Sequence, residues 1–387
     1  MAKPSRYRVV LDALENERAL DVRYRSAVAE PVPPFFPNYK VMKLLSLRRQ
    51  LGAAIRPAVA LAPVAVAALA PGQWVLAFGA SLAPKKGDDA RLHILATTPR
   101  NVALIRGALE SDADVHDLPA DELVLGLVSI AKRVNPSDVA RAIGDHIQLM
   151  ATVLRMQPAE RRDLALHSID APAALLLARY LERESAGVFV TDCHYQRWSY
   201  IVTAMADDAR LVQHGVLDTE VSLPHSGNRV GKAYVRDAAS AEHFARYYHV
   251  DRSKPFSWLP SLSANPYSES GVFLASSFPF IDEEIAVLRR LRKAGVPILV
   301  KLHPAHRYDG RKRELLSLAN HVCGPTEDPA CRAFVSHSSS MEREYAARGI
   351  PTVSIAHMGV EAASEALLAL LSAPREPLAK PPLTTQD

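Results

Sequence analysis

From residue 74 to residue 371, short apolar runs alternate with longer segments of helical spacing. That alternation restricts the fold more than any other feature of the chain. The first strand-like runs are Trp74–Phe78, Leu92–Ala96, Val188–Asp192 and Ala209–Gln213, with helical spacing over 99–110, 119–133, 136–156, 158–184 and 195–206. Most runs are continuously apolar, as in strands buried on both faces, so a parallel sheet covered by helices is expected. After Pro224-His225-Ser226-Gly227 the pattern restarts. Strands are predicted at Ala233–Arg236, Gly271–Ser277, Val296–Leu302, Ala333–Ser336 and Pro351–Ile355, with helices at 239–248, 282–294, 310–320, 340–348 and 358–371. The reading is two doubly wound α/β domains, 1–225 and 226–373, followed by a polar, Pro-rich tail at 374–387. Residues 1–72 form a basic, Pro-rich lead-in whose first 50 positions look largely irregular.

At 387 residues the chain is long enough to fill two cores. A hydrophobic share of 48% with 23% charged residues excludes a disordered chain and a polytopic membrane protein. Lys and Arg number 46 against 42 Asp and Glu, and 46 − 42 = +4 is too small a surplus to point to nucleic acid. No apolar leader follows Met1. The most apolar stretch, Ala58–Ala70, is too short to span a bilayer and contains Pro63, so a cytoplasmic protein is expected. Lys40, Lys43, Arg48, Arg49 and Arg56 lie beside Leu44, Leu45, Leu47 and Leu51. Such a stretch suits either packing on its own domain or peripheral contact with the inner face of the cytoplasmic membrane. Cys193, Cys323 and Cys331 match no zinc or redox spacing and read as reduced thiols.

In open α/β sheets, ligands bind beyond the carboxyl ends of the strands, so polar residues just past those ends carry the functional reading. Three such places stand in the second half: Ser276-Ser277, then Lys301-Leu302-His303-Pro304 with Arg307, then Ser336-His337-Ser338-Ser339-Ser340 running into a helix. A serine-rich turn between strand and helix presents hydroxyls and backbone N–H groups to a phosphate, and serves equally as an ordinary helix cap. Lys301, His303 and Arg307 supply charge that balances a nucleotide leaving group. In the first half, Asp192 and His194 follow one strand and His214-Gly215 another, which makes Asp192, His194 and His214 candidate acid–base groups. Asp192 has helix capping as its alternative. Asp112-Ala113-Asp114 has the spacing of a metal-binding pair but sits between two helices, so no metal site is expected. No GxGxxG fingerprint is present, which argues against a dinucleotide oxidoreductase.

The order strand–Gln-His-Gly, strand–Lys-Leu-His-Pro, strand–Ser-His-Ser-Ser-Ser–helix–Arg-Gly-Ile-Pro-Thr-Val, over residues 185–360, resembles GT-B glycosyltransferases of bacterial surface-polysaccharide assembly. The similar groups are CDP-glycerol glycerophosphotransferases and His-Pro-motif CMP-sugar transferases, such as sialyl- and capsule Kdo transferases. Val212-Gln213 stand where the first group carries an aromatic, and His337 where an acidic residue commonly follows the serine. The acidic-acidic-glycine motif of many sialyltransferases is missing. The resemblance implies two Rossmann-like domains facing a cleft, with the acceptor on the N-terminal one and the nucleotide donor on the C-terminal one. It further implies transfer from a CMP- or CDP-linked donor to a glycan or lipid-linked acceptor, with no cofactor and no metal. His214 and His303 would act near the donor phosphates and the acceptor, and Ser338, Ser339 and Ser340 would hold the phosphate. A CDP-glycerol-type glycerophosphotransferase, or a non-catalytic nucleotide- or sugar-binding member of a capsule assembly complex, stands as the alternative.

Overall fold

The computed structural model describes residues 5–26, 62–83, 90–110, 112–192, 196–215, 222–277, 280–303 and 310–373. The Pro-rich and basic positions 31–56, Cys193, His194, Arg307 and the tail 374–387 lie outside the described residues. The chain divides into two compact units, Met1–Ser257 and Trp258–Asp387.

The first unit runs α1 (Arg6–Ser26), α2 (Ala62–Ser81), β1 (Leu92–Ala96), α3 (Pro99–Leu109), β2 (Ala120–Val124), α4 (Leu127–Ala131) and α5 (Pro136–Leu154). It continues with α6 (Pro158–His167), α7 (Ala171–Arg183), β3 (Val188–Thr191), α8 (Arg197–Met205), β4 (Asp208–Val212), β5 (Asn228–Val230), β6 (Lys232–Val235), α9 (Ala238–Phe244), β7 (Tyr248–Val250) and β8 (Ser253–Pro255). Six strands form one parallel sheet in the order β2-β1-β3-β4-β6-β8, and β5 and β7 pair separately. The expected boundary at 225/226 is therefore too early. The restart of the pattern at residue 233 extends the first sheet, because β6 pairs with β4 and β8 with β6.

Three local expectations are corrected here. Residues 6–26 are helical, and Val9, Val10, Leu11 and Leu14 enter the core. Glu17 on the same helix takes bonds from the Arg197 backbone N–H (2.8 Å) and Nε (2.9 Å). Burial alone would raise the Glu17 carboxyl, but Arg197 and His167 beside it hold it down at about 2. Trp74–Phe78 belongs to α2 rather than to a strand, since a short apolar run has no period to separate the two. Ala120–Val124 is the sheet's edge strand. Its exposure explains why it is polar and reads like the helix predicted over 119–133.

The second unit contains β9 (Val272–Ala275), α10 (Ile281–Lys293), β10 (Ile298–Lys301), α11 (Gly310–Leu318), β11 (His321–Val322), β12 (Ala333–Ser336), α12 (Met341–Ala346), β13 (Thr352–Ser354) and α13 (Ile355–Ser372). Its sheet is parallel in the order β11-β10-β9-β12-β13. Gly271 opens β9 because a Cβ there would lie 2.6 Å from Leu299 Cδ1 and 2.8 Å from the Tyr267 carbonyl oxygen. Helix α13 is long and apolar enough to cross a membrane by length and composition. It turns at Gly359 (φ +76°) and joins the core of this unit through Ala363 and Leu367. Cys323 and Cys331 are buried thiols here, each pushed up to about 12 by burial.

Candidate functional site

Each sheet has one point where its strand order reverses, and there the strand ends splay into a crevice. In the first unit it lies between β1 and β3; in the second, between β9 and β12. Of the residues selected from sequence, Asp192, Ser276, Ser277 and Ser338 fall at these two places, and His214 and His303 follow the adjacent strands β4 and β10.

Beyond β3, Asp192 is fully buried and its carboxylate is already engaged. It accepts from the Thr97 N–H (3.1 Å), from Thr97 Oγ1 (2.8 Å) and from Asn101 Nδ2. Asp192 thus ties the end of β1 to the start of α3, a helix that Thr98 caps and Pro99 begins. This bracing is a role that the sequence reading, which weighed acid–base work and capping of the following helix, did not include. His214, at the end of β4, places Nδ1 on the Asp192 backbone carbonyl. A carbonyl only accepts, so the proton sits on Nδ1 and Nε2 is the basic nitrogen of the ring. The turn is held by the buried Gln213, whose Nε2 donates to the Gly215 carbonyl (3.0 Å) and whose Oε1 accepts from the Arg236 N–H (2.9 Å). Thr97, Asn101 and Gln213 were not selected from sequence; the Thr-Thr-Pro cap directly after β1 was the available signal.

Asp112 and Asp114 face protein cations. Lys232 Nζ lies 2.9 Å from Asp112 and 2.8 Å from Asp114, and Arg210 and Tyr234 also reach Asp112. These partners hold the Asp112 carboxyl at about 2 in spite of its burial.

In the second unit, three strand ends meet at one edge. Ser276-Ser277 follow β9, Leu302-His303 follow β10, and Ser336-His337-Ser338 close β12. The pairing of Lys301 with Ala275 carries His303 to the level of Ser277. His303 is exposed at this edge, yet the protein crowding it holds its imidazole below the ordinary range. Lys301 itself is turned elsewhere: its ammonium donates to Asp328 Oδ1 (2.7 Å) and to the Glu327 carbonyl (2.9 Å). The expected contact between Lys301 and a donor phosphate is not part of this edge.

A carboxyl that sequence reading passed over sits under the serines. Glu284, on the first turn of α10, is fully buried and accepts from Ser276 Oγ (2.5 Å) and the Ser277 N–H (2.6 Å). Burial pushes it up to about 8, against the pull of those two hydrogen bonds, so at neutral pH it is predominantly uncharged. The serine turn also bonds to itself. Ser338 N–H lies 3.4 Å from Ser277 Oγ, Ser339 N–H 3.1 Å from Ser336 Oγ, and Met341 N–H 3.3 Å from Ser339 Oγ. Helix α12 spans only Met341–Ala346 and carries Glu342 and Glu344 in its first turn, so hydroxyls rather than a helix dipole supply any affinity for anions here. Ser338 is exposed, and Ser340 caps α12 without a side-chain bond. The His337 ring stacks on Phe280 (centroids 3.6 Å apart, planes at 7°), with Nε2 3.5 Å from Glu283. Burial lowers its basicity, and Nδ1 has no hydrogen-bond partner among the described residues.

This geometry offers a hydroxyl-rich strand edge beside a flat ring stack with Glu283 at its side in one unit, and a fixed-tautomer imidazole in the other. No family model matches the chain, and no curated protein matches it. Among solved structures it is similar to a crystal structure of TarM, at 14% identity and a TM-score of 0.33, over 51% of this chain and 51% of that one. The chain spans about half the length of that structure.

Proposed function

We propose that this protein is a metal-independent glycosyltransferase that moves a sugar from a CMP- or CDP-linked donor to a bacterial surface glycan or its lipid-linked precursor. The observation that carries the reading is the edge of the second sheet, where Ser276, Ser277, His303, His337 and Ser338 converge beyond β9, β10 and β12 at the point of strand-order reversal. Hydroxyls and imidazoles at such a point suit the phosphate of a nucleotide, and the ring pair Phe280–His337 suits a base plane beside it. In the proposed reaction the bond between the anomeric carbon and the donor phosphate breaks, with its electron pair leaving on phosphate. The acceptor oxygen forms the new bond to that carbon. Its proton passes to a base, and His214 Nε2 is our choice for that base because the Asp192 carbonyl fixes the tautomer.

Calorimetric titration of the full chain with CMP and CDP tests the donor half. Binding that is lost in Ser277→Ala/Ser338→Ala is expected; no binding of either nucleotide would overturn the reading. One observation favours the non-catalytic alternative: Asp192 and Lys301 are both engaged within the protein. His214→Gln separates the two. Transfer requires loss of glycan product with nucleotide binding retained, whereas a binding member of an assembly complex keeps its glycan output.

A further inference from the structure

Helix α2 contains no charged residue over its whole length, Ala62–Ser81. One side of it enters the core through Trp74 and Ala77, and Trp74 Nε1 donates to His146 Nδ1 (3.1 Å) on α5. The adjoining arc of its last two turns is exposed. Val75 is 72% accessible, Leu76 61%, Phe78 47% and, just past the helix end, Leu82 65%. On α5, the residue after His146 is Ile147, also exposed, and Leu154 lies two turns further along. Scattered exposed leucines are ordinary, but large apolar groups concentrated on one uncharged helix mark a contact surface.

The charge pattern around this helix identifies the kind of partner. From Pro31 to Gly87 the sequence holds no Asp or Glu. The same span has seven cations: Lys40, Lys43, Arg48, Arg49 and Arg56 before the helix, Lys85 and Lys86 after it. It therefore carries +7, and the remainder of the chain 4 − 7 = −3. An apolar helix face bracketed in sequence by cations, with no acid among them, is complementary to anionic lipid: alkyl and aromatic groups enter the acyl boundary while the cations meet headgroup phosphates. A second copy of this chain would set +7 against +7.

We propose that the exposed face of α2, with Val75, Leu76, Phe78 and Leu82 as its contact groups, docks on the surface of an anionic lipid bilayer. This inference is independent of the transferase reading. Full-length protein is to be sedimented with phosphatidylcholine vesicles, with and without phosphatidylglycerol. Binding is expected on the anionic vesicles only, weakening as salt is raised and the Debye length shortens. Leu76→Ser/Phe78→Ser should lower vesicle affinity about tenfold or more, since two large apolar groups are withdrawn from the interface. Because both side chains are exposed, its thermal transition should match the wild type. A second measurement does not depend on that variant: Phe78→Trp emission should be quenched by brominated lipid. Equal vesicle binding by wild type and double variant, no quenching, or a wild-type dimer that the double variant converts to monomer would each overturn the proposal.

Discussion

The two units bury a carboxyl group at the same topological place and treat it in different ways. Asp192, beyond β3, is surrounded by donors: the Thr97 N–H, the Thr97 hydroxyl and the Asn101 amide. Glu284, under β9, has among the described residues the Ser276 hydroxyl and the Ser277 N–H as donors, and burial pushes it up to about 8. The difference shows what each crevice is suited to. A carboxyl group saturated by rigid backbone and side-chain donors fixes geometry, here that of the β1–α3 junction. A carboxyl with few donors stays neutral at ordinary pH, and so can lie beneath the Ser277 hydroxyl without repelling an anion held there.

The largest effect that would break this contrast belongs to Asp192. Asp192→Ala leaves the Thr97 N–H and hydroxyl without their acceptor and the Asn101 amide with Thr97 Oγ1 alone of its two acceptors, and should cost about 2–4 kcal/mol of stability by urea denaturation. Asp192→Asn keeps one acceptor oxygen and should cost about half as much. A cost below about 1 kcal/mol for the alanine variant would mean that the donors find other partners and that the junction is not fixed by this residue.

Glu284 should respond in the opposite direction. Its proton is bound more tightly in the folded chain, near 8, than in an unfolded one, near 4.5. Below pH 4.5 both states are protonated and the group is neutral to stability. Between 4.5 and about 8 the unfolded state gains by ionising while the folded state does not, so stability falls as pH rises across that window. Glu284→Gln removes this penalty and should stabilise the protein by about 1–3 kcal/mol at pH 9, with no gain at pH 4. Thermal unfolding of both chains at the two pH values measures it. A gain of equal size at pH 4 would trace the effect to packing instead of ionisation.

This contrast also marks how far the sequence could be read. β1, β3, β4, β9, β10 and β12 were legible because their buried faces make continuous apolar runs, and the polar residues after them were legible as strand-end groups. Three of the four edge strands were not: β2 and β8 are polar, and β11 is only two residues long, whereas the apolar edge strand β13 was. The boundary was misplaced for a related reason, since a restart of alternation does not say whether the next strand extends the old sheet or begins a new one. Glu284 was invisible because it lies on a helix whose first turn, Asp282-Glu283-Glu284, reads as ordinary dipole compensation. Only the fold turns one of those three carboxyls inward, beneath Ser276. Lys301 failed in the other direction. A lysine at a strand end resembles a phosphate ligand until Asp328 is seen beside it.

The smallest expected effect links the two properties of Glu284. If a nucleotide phosphate lies over Ser276 and Ser277, ionisation of Glu284 on passing through about 8 places a like charge beneath it. Wild-type affinity for CMP should then fall about three- to tenfold between pH 7 and pH 9, a modest loss because solvent and the intervening hydroxyls weaken the repulsion. The phosphate itself cannot account for this, because its second proton, lost near pH 6, is gone before the window opens. Glu284→Gln carries no charge at either pH and should show a flat profile by the same titration. The variant also separates this repulsion from any change in His303 or His337, whose imidazoles burial holds below their ordinary range. Parallel losses in wild type and variant would place the nucleotide away from the β9 edge and leave Glu284 as a purely structural proton.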